Sequence, residues 1–121
     1  MEERNIIVAK TLQFSLDAIN FYKKMIAQNE YVLSKQFLKS ATSIGANTNE
    51  ATAAQTRKDF IAKMAIASKE ARETRYWLTL IENSQIVNID CKILLSQIDE
   101  IVKILTAIVK TAQQNELKEL N

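Results

Sequence analysis

Of the six cationic side chains between positions 57 and 75, five stand out together: Arg57, Lys58, Lys69, Arg72 and Arg75. If that stretch is helical, they occupy one flank of an apolar stripe. Arginines and lysines strung along a helix can track a phosphate backbone, and Tyr76 among them can stack on a base or ring. The chemistry this offers is nucleic-acid binding. The competing reading is a solvated face carrying local ion pairs, such as Lys69 with Glu73 or Asp59 with Lys63, at the helical spacing of four. Several copies of the stripe around a symmetry axis would concentrate a field that one copy lacks.

Other chemistry is largely removed by what is missing. The sequence has no histidine, which excludes histidine acid-base catalysis, Ser-His and Cys-His nucleophiles and the usual His-containing zinc or di-iron sites. Glu70 and Glu73 have no further carboxylate at a ligand spacing, so they read as part of a structural network with Asn47, Arg72 or Arg75. No catalytic residue, metal site or cofactor is assigned, and the protein is expected not to be an enzyme. The single cysteine, Cys91, excludes an internal disulfide and reads as a small buried hydrophobe. Trp77 reads as a packing anchor, with Glu73 one turn earlier as a partner for its indole N–H. The formal charge of +2 argues neither for nor against a polyanionic partner. No apolar run approaches the roughly 18 residues that span a bilayer, and no signal-peptide pattern is present. A cytoplasmic protein without membrane contact is expected.

The elements that would position these side chains are helices. With no proline, one glycine and 47% apolar residues, the composition suits helices joined by short loops, and the length suits one domain over 1–121. Periodicity places helices near 5–28, 34–54, 57–83 and 90–115. Their starts fall at Ser34, at Thr56 with Asp59 in a variant capping box, and at Asp90. Connections this short predict an all-α, up-down-up-down four-helix bundle. Phe60, Met64, Ala67, Ala71, Leu78 and Ile81, with Thr74 filling one turn, form the core stripe of the third helix. Leu94, Ile98, Ile101, Leu105, Ile108 and Ala112 form that of the fourth.

The first helix carries two stripes about 120° apart at about 100° per residue. One comprises Val8, Leu12, Ser15, Ile19 and Ile26, the other Ile7, Phe14, Ala18, Phe21 and Met25. One bundle core cannot easily bury both. The strict seven-residue repeat of Ile7, Phe14 and Phe21, with Met25, is assigned to a subunit interface. The alternative is a bundle that buries broad faces. In the second helix the stretch SIGANTNEA at 43–51 holds the only glycine. It sorts into a core face and a small polar face, with Gly45 permitting close approach of another backbone. Asn47 and Glu50 lie one turn apart and are expected to fix the register of a neighbouring helix.

The runs SIGANTNEA at 43–51, KDFI at 58–61, KEARET at 69–74 and YWL at 76–78 resemble the small bacterial four-helix-bundle proteins encoded by intervening sequences of 23S ribosomal RNA genes. That group includes the accessory variability determinant of diversity-generating retroelements. The resemblance implies a ring-like homopentamer without enzymatic activity. For the accessory branch it further implies nucleic-acid binding through a basic surface and a reverse transcriptase as partner. Carried onto this chain, it marks Ser43, Asn47, Glu50, Glu70 and Glu73 as a structural polar signature, and Arg57, Lys58, Lys69, Arg72 and Arg75 as the basic surface. Asp90, Asp99, Glu100, Glu116 and Glu119 dilute the charge of the fourth helix. A structural or protein-interaction module without nucleic-acid binding is the alternative function.

Overall fold

A computed structural model describes residues 2–120 of the chain, with side chains described from Arg4 onward. The chain forms four helices: α1 (Glu2–Ala27), α2 (Leu33–Thr52), α3 (Arg57–Ser84) and α4 (Lys92–Leu120). Each helix packs on two others. The α2–α3 seam is the most extensive, α3–α4 and α1–α2 follow, and α1–α4 is the loosest. This is the antiparallel four-helix bundle expected from the short connections, and a single apolar core runs through all four helices. No helix among the described residues is long and apolar enough to cross a membrane.

The expected stripes of α3 and α4 are the core stripes. Phe60, Met64, Ala67, Ala71, Thr74, Leu78 and Ile81 are buried, as are Leu94, Ile98, Ile101, Leu105 and Ile108, and Ala112 is half-buried. In α1 the assignment of the two stripes is reversed. Ile7, Phe14 and Met25 are completely buried in the chain's own core and Phe21 nearly so, so none of the four is available to a subunit interface. Phe21 meets the Phe37 ring of α2 edge-on at 5.3 Å. The physical reason is volume: two phenylalanines, an isoleucine and a methionine fill the centre of the bundle better than the smaller, serine-containing stripe. In the other stripe Val8, Ser15 and Ile26 are half-buried while Leu12 is 58% and Ile19 37% exposed, and Leu16 beside them, outside either stripe, is 49% exposed.

Helix ends are set by identifiable groups. Thr56 caps α3 as expected, its Oγ1 accepting the Asp59 amide at 3.0 Å, and Asp90 accepts the Lys92 amide at 2.9 Å before α4. The start of α2 is capped differently from the expected Ser34. The buried Glu30 carboxylate accepts the amides of Val32, Leu33 and Ser34 at 3.0, 3.0 and 2.6 Å. It thereby satisfies donors that the first helical turn leaves open. Burial alone would raise the Glu30 pKa, but the amides of Leu33, Ser34 and Val32 outweigh it and hold the carboxyl below its ordinary 4.5. The depressed folded value means that the stabilisation is present above pH 4.5 and is lost as pH falls through the folded pKa. Glu30→Gln is expected to cost about 1–3 kcal/mol at pH 7. In urea titrations at several pH values, the gap to wild type should close in acid.

The turn before Glu30 places Asn29 at a φ of 64°, the left-handed conformation that asparagine adopts most readily after glycine. Gln28 beside it reaches across the end of the bundle. Its amide group donates to the Asn88 carbonyl at 3.1 Å and accepts the Asn88 amide at 2.7 Å, joining the α1–α2 turn to the α3–α4 loop.

SIGANTNEA is helical throughout, inside α2. Gly45 is buried against α1, where a methyl carbon in place of its hydrogen would lie 3.4 Å from the Thr11 carbonyl oxygen and 3.4 Å from Ser15 Oγ. The close backbone approach expected at this glycine is therefore real, yet a methyl group just fits. Gly45→Ala is expected to be neutral or stabilising by up to about 1 kcal/mol, because alanine recovers helix propensity. Gly45→Leu should lose about 1–3 kcal/mol through overpacking. Thermal unfolding of the two variants separates a space limit from a mere preference for a small residue.

Candidate functional site

Helix α3 carries the candidate basic surface, and its one buried face fixes where each cation points. Lys58, Lys69 and Arg72 lie within a sector of about 60° at about 100° per residue, opposite the buried stripe, and all three are exposed. Tyr76 falls in the same sector, is 59% exposed, and has its ring held edge-on by Trp77 at 5.3 Å. From Lys58 to Arg72 the sector extends about 21 Å at about 1.5 Å per residue.

Arg57 and Arg75 lie further round, toward α4, and there each meets a carboxylate. Arg57 Nη1 pairs with Glu119 Oε1 at 2.5 Å, and Arg75 Nη1 with Asp99 Oδ1 at 3.6 Å. Arg72 donates to Thr106 Oγ1 at 3.2 Å, which steadies the guanidinium without neutralising it. Among the described residues Lys58 and Lys69 make no ion pair. The intrahelical pairs Lys69–Glu73 and Asp59–Lys63 do not form either, and Lys63 instead crosses to Glu50 of α2 at 3.1 Å. The five-residue basic set thus divides into an open group of three and a pair facing α4's acids. Of the acids that dilute α4's charge in sequence, Glu119 and Asp99 do so beside Arg57 and Arg75, whereas Glu100 pairs with Lys10 of α1 and Asp90 accepts the Lys92 amide. Thr106, unmarked in the sequence, has no signal beyond being a polar position on α4.

The polar signature does not form one network. Ser43 donates to the Lys39 carbonyl at 2.7 Å and Asn47 to the Ser43 carbonyl at 2.8 Å, both within α2, so Asn47 does not lock a neighbouring helix. Glu50 does cross to α3 through Lys63. The buried link between α2 and α3 is one that sequence reasoning misses, Thr74 Oγ1 donating to Ser40 Oγ at 2.9 Å. Small polar residues on facing stripes are its only sequence signal.

Glu70 and Glu73 are neighbours. Burial, then the Glu73 charge, push the Glu70 carboxyl above its ordinary 4.5, the opposite of what a bound cation would do. Among the described residues no group of three potential metal ligands exists. The Trp77 indole N–H, assigned in sequence to Glu73, is buried and has no hydrogen-bond partner among the described residues. Cys91 is buried, and burial, with the charges of Glu82 and Asp90, pushes its thiol up to about 11. It is therefore a poor nucleophile at neutral pH.

Known proteins give the site its context. A crystal structure, at 1.70 Å, of a protein of unknown function from the S23 ribosomal protein family of Bacteroides thetaiotaomicron VPI-5482 is similar. It superposes with a TM-score of 0.85 at 43% identity, over 89% of this chain and 98% of that one. No curated protein matches the sequence. Neither the solved structure nor the family match points to an enzyme. The model of the family described as 23S rRNA-intervening sequence protein matches residues 3–107. That match runs from α1 to the middle of α4, and the chain therefore belongs to the 23S rRNA-intervening sequence protein family.

Proposed function

We propose that the protein is a non-catalytic, homo-oligomeric accessory protein that binds nucleic acid through the outer face of α3. The observation that carries this reading is the open group of Lys58, Lys69 and Arg72 with Tyr76, cations without a carboxylate partner among the described residues beside an exposed ring. Such a strip suits a phosphate backbone with a base resting on the tyrosine. Oligomerisation would set several strips around one axis, and the exposed apolar residues Leu12, Leu16 and Ile19 of α1 supply a face for it. A homopentamer, and a reverse transcriptase as partner, are what the family resemblance suggests for the assembly and its use.

The test is retention of structured RNA and duplex DNA by the purified protein, titrated with salt. Binding that falls steeply with ionic strength is expected, and no retention at low salt ends the reading. The alternative, a protein-interaction module, is favoured by the same α1 face. It predicts capture of a partner polypeptide that charge reversal on α3 leaves intact and that Leu12→Asp destroys.

A further inference from the structure

At the end of the bundle away from the Gln28–Asn88 contact, the first turn of α1, the α2–α3 turn and the C-terminal half of α4 line an open cleft of about 440 Å³. That is within the range of small-molecule sites, about 300–1,000 Å³. Its floor is apolar, made by Ala51, Phe60, Ile108 and Ala112, and two guanidinium groups, Arg4 and Arg57, stand among its walls. Arg4 lies over the Phe60 ring, Cζ 4.1 Å from the centroid. The aromatic face thus orders a flexible cation. Arg57 already holds a carboxylate, that of Glu119, in a pair whose side chains are 41% and 67% exposed. Exposed pairs of this kind contribute little, about 0–1 kcal/mol, so a competing anion can displace Glu119 at small cost. Thr56 also lines the cleft and caps α3, which adds the positive end of that helix to the two arginines.

We infer that this cleft binds a small organic phosphate with a flat ring, of the size of a nucleoside monophosphate. The phosphate takes the place of the Glu119 carboxylate on Arg57, and the ring lies against Arg4 and the apolar floor. A phosphate dianion suits the Arg57 guanidinium better than the singly charged Glu119 carboxylate does. The alanines leave room for a ring where larger side chains would close the floor. The site is separate from the Lys58, Lys69 and Arg72 strip and does not rest on it.

Amide chemical shifts of the full chain, titrated with AMP, adenosine or inorganic phosphate at low salt, test the inference. Saturable shifts at Ala54, Thr56 and Phe60 with AMP are expected, with adenosine and phosphate each at least tenfold weaker. Arg4→Ala with Arg57→Ala should weaken AMP by at least tenfold, Glu119→Gln should tighten it, and Lys69→Glu with Arg72→Glu should leave it unchanged. No AMP shifts around the cleft, or AMP binding unaltered in the Arg4 and Arg57 double variant, overturns the site. Adenosine binding as well as AMP overturns the phosphate assignment. If AMP binds while long nucleic acids do not, the cleft stands and the α3 reading falls.

Discussion

Phe14→Ala is expected to lower the free energy of unfolding by about 3–5 kcal/mol, a large share of the roughly 5–15 kcal/mol that holds a domain of this size together. Phe14 has no exposed surface, so the truncation removes a ring from a filled core and leaves a void that neighbouring helices can only partly close. Urea denaturation followed by far-ultraviolet circular dichroism reads the loss directly. The exposed stripe on the same helix should behave in the opposite way. Leu12→Asp with Leu16→Asp should leave the denaturation midpoint close to wild type and reduce the assembled mass in sedimentation velocity. Unchanged stability in Phe14→Ala together with a loss of assembly would return the interface to the stripe of Ile7, Phe14, Phe21 and Met25.

Lys69→Glu with Arg72→Glu is expected to weaken nucleic-acid binding on the order of 100-fold at low salt and to reduce the slope of log affinity against log salt by roughly 2. Both cations lie in the outward sector of α3, and reversal replaces two attractions with two repulsions. Arg75→Glu alone should cost less than Arg72→Glu alone, because Arg75 shares its charge with Asp99 at 3.6 Å. Fluorescence anisotropy over a salt series measures all three variants. Equal affinities for wild type and the double variant would leave the α3 face as a solvated surface.

Much of the fold is legible in the sequence because three of the helices state their phase once. In α3 and α4 one stripe dominates, and the buried set follows it closely, with Ser68 and Val102 added to it and Ala112 half-buried. In α1 the pattern is stated twice. Periodicity gives the phase of each stripe but not which faces inward, and side-chain volume decides it. Glu30 escapes notice because its carboxylate reaches forward past Val32 to cap α2. A cap is ordinarily sought at the residue next to the helix, where Ser34 looks suitable. The basic set is legible by type, but its division is not, since the acids that meet Arg57 and Arg75 come from α4, far along the chain. The cleft has no sequence signal at all: Arg4, Phe60 and Ile108 share nothing in sequence and meet only when the helices close.

The contact between Gln28 and Asn88 bears on the polymer problem this chain has to solve. Three seams of the bundle join helices adjacent in sequence, where closing a short loop costs little entropy. The α1–α4 seam alone joins distant segments, and it is the loosest of the four. The clasp spans 60 residues, and Gln97 to Asp17 spans 80. With Lys10–Glu100 they are the polar contacts that reach from the first quarter of the chain to its last third, where the row of consecutive hairpins closes into a cylinder. The apolar core shared by all four helices supplies the driving force for that closure, and these few polar bonds fix the register in which the ends meet.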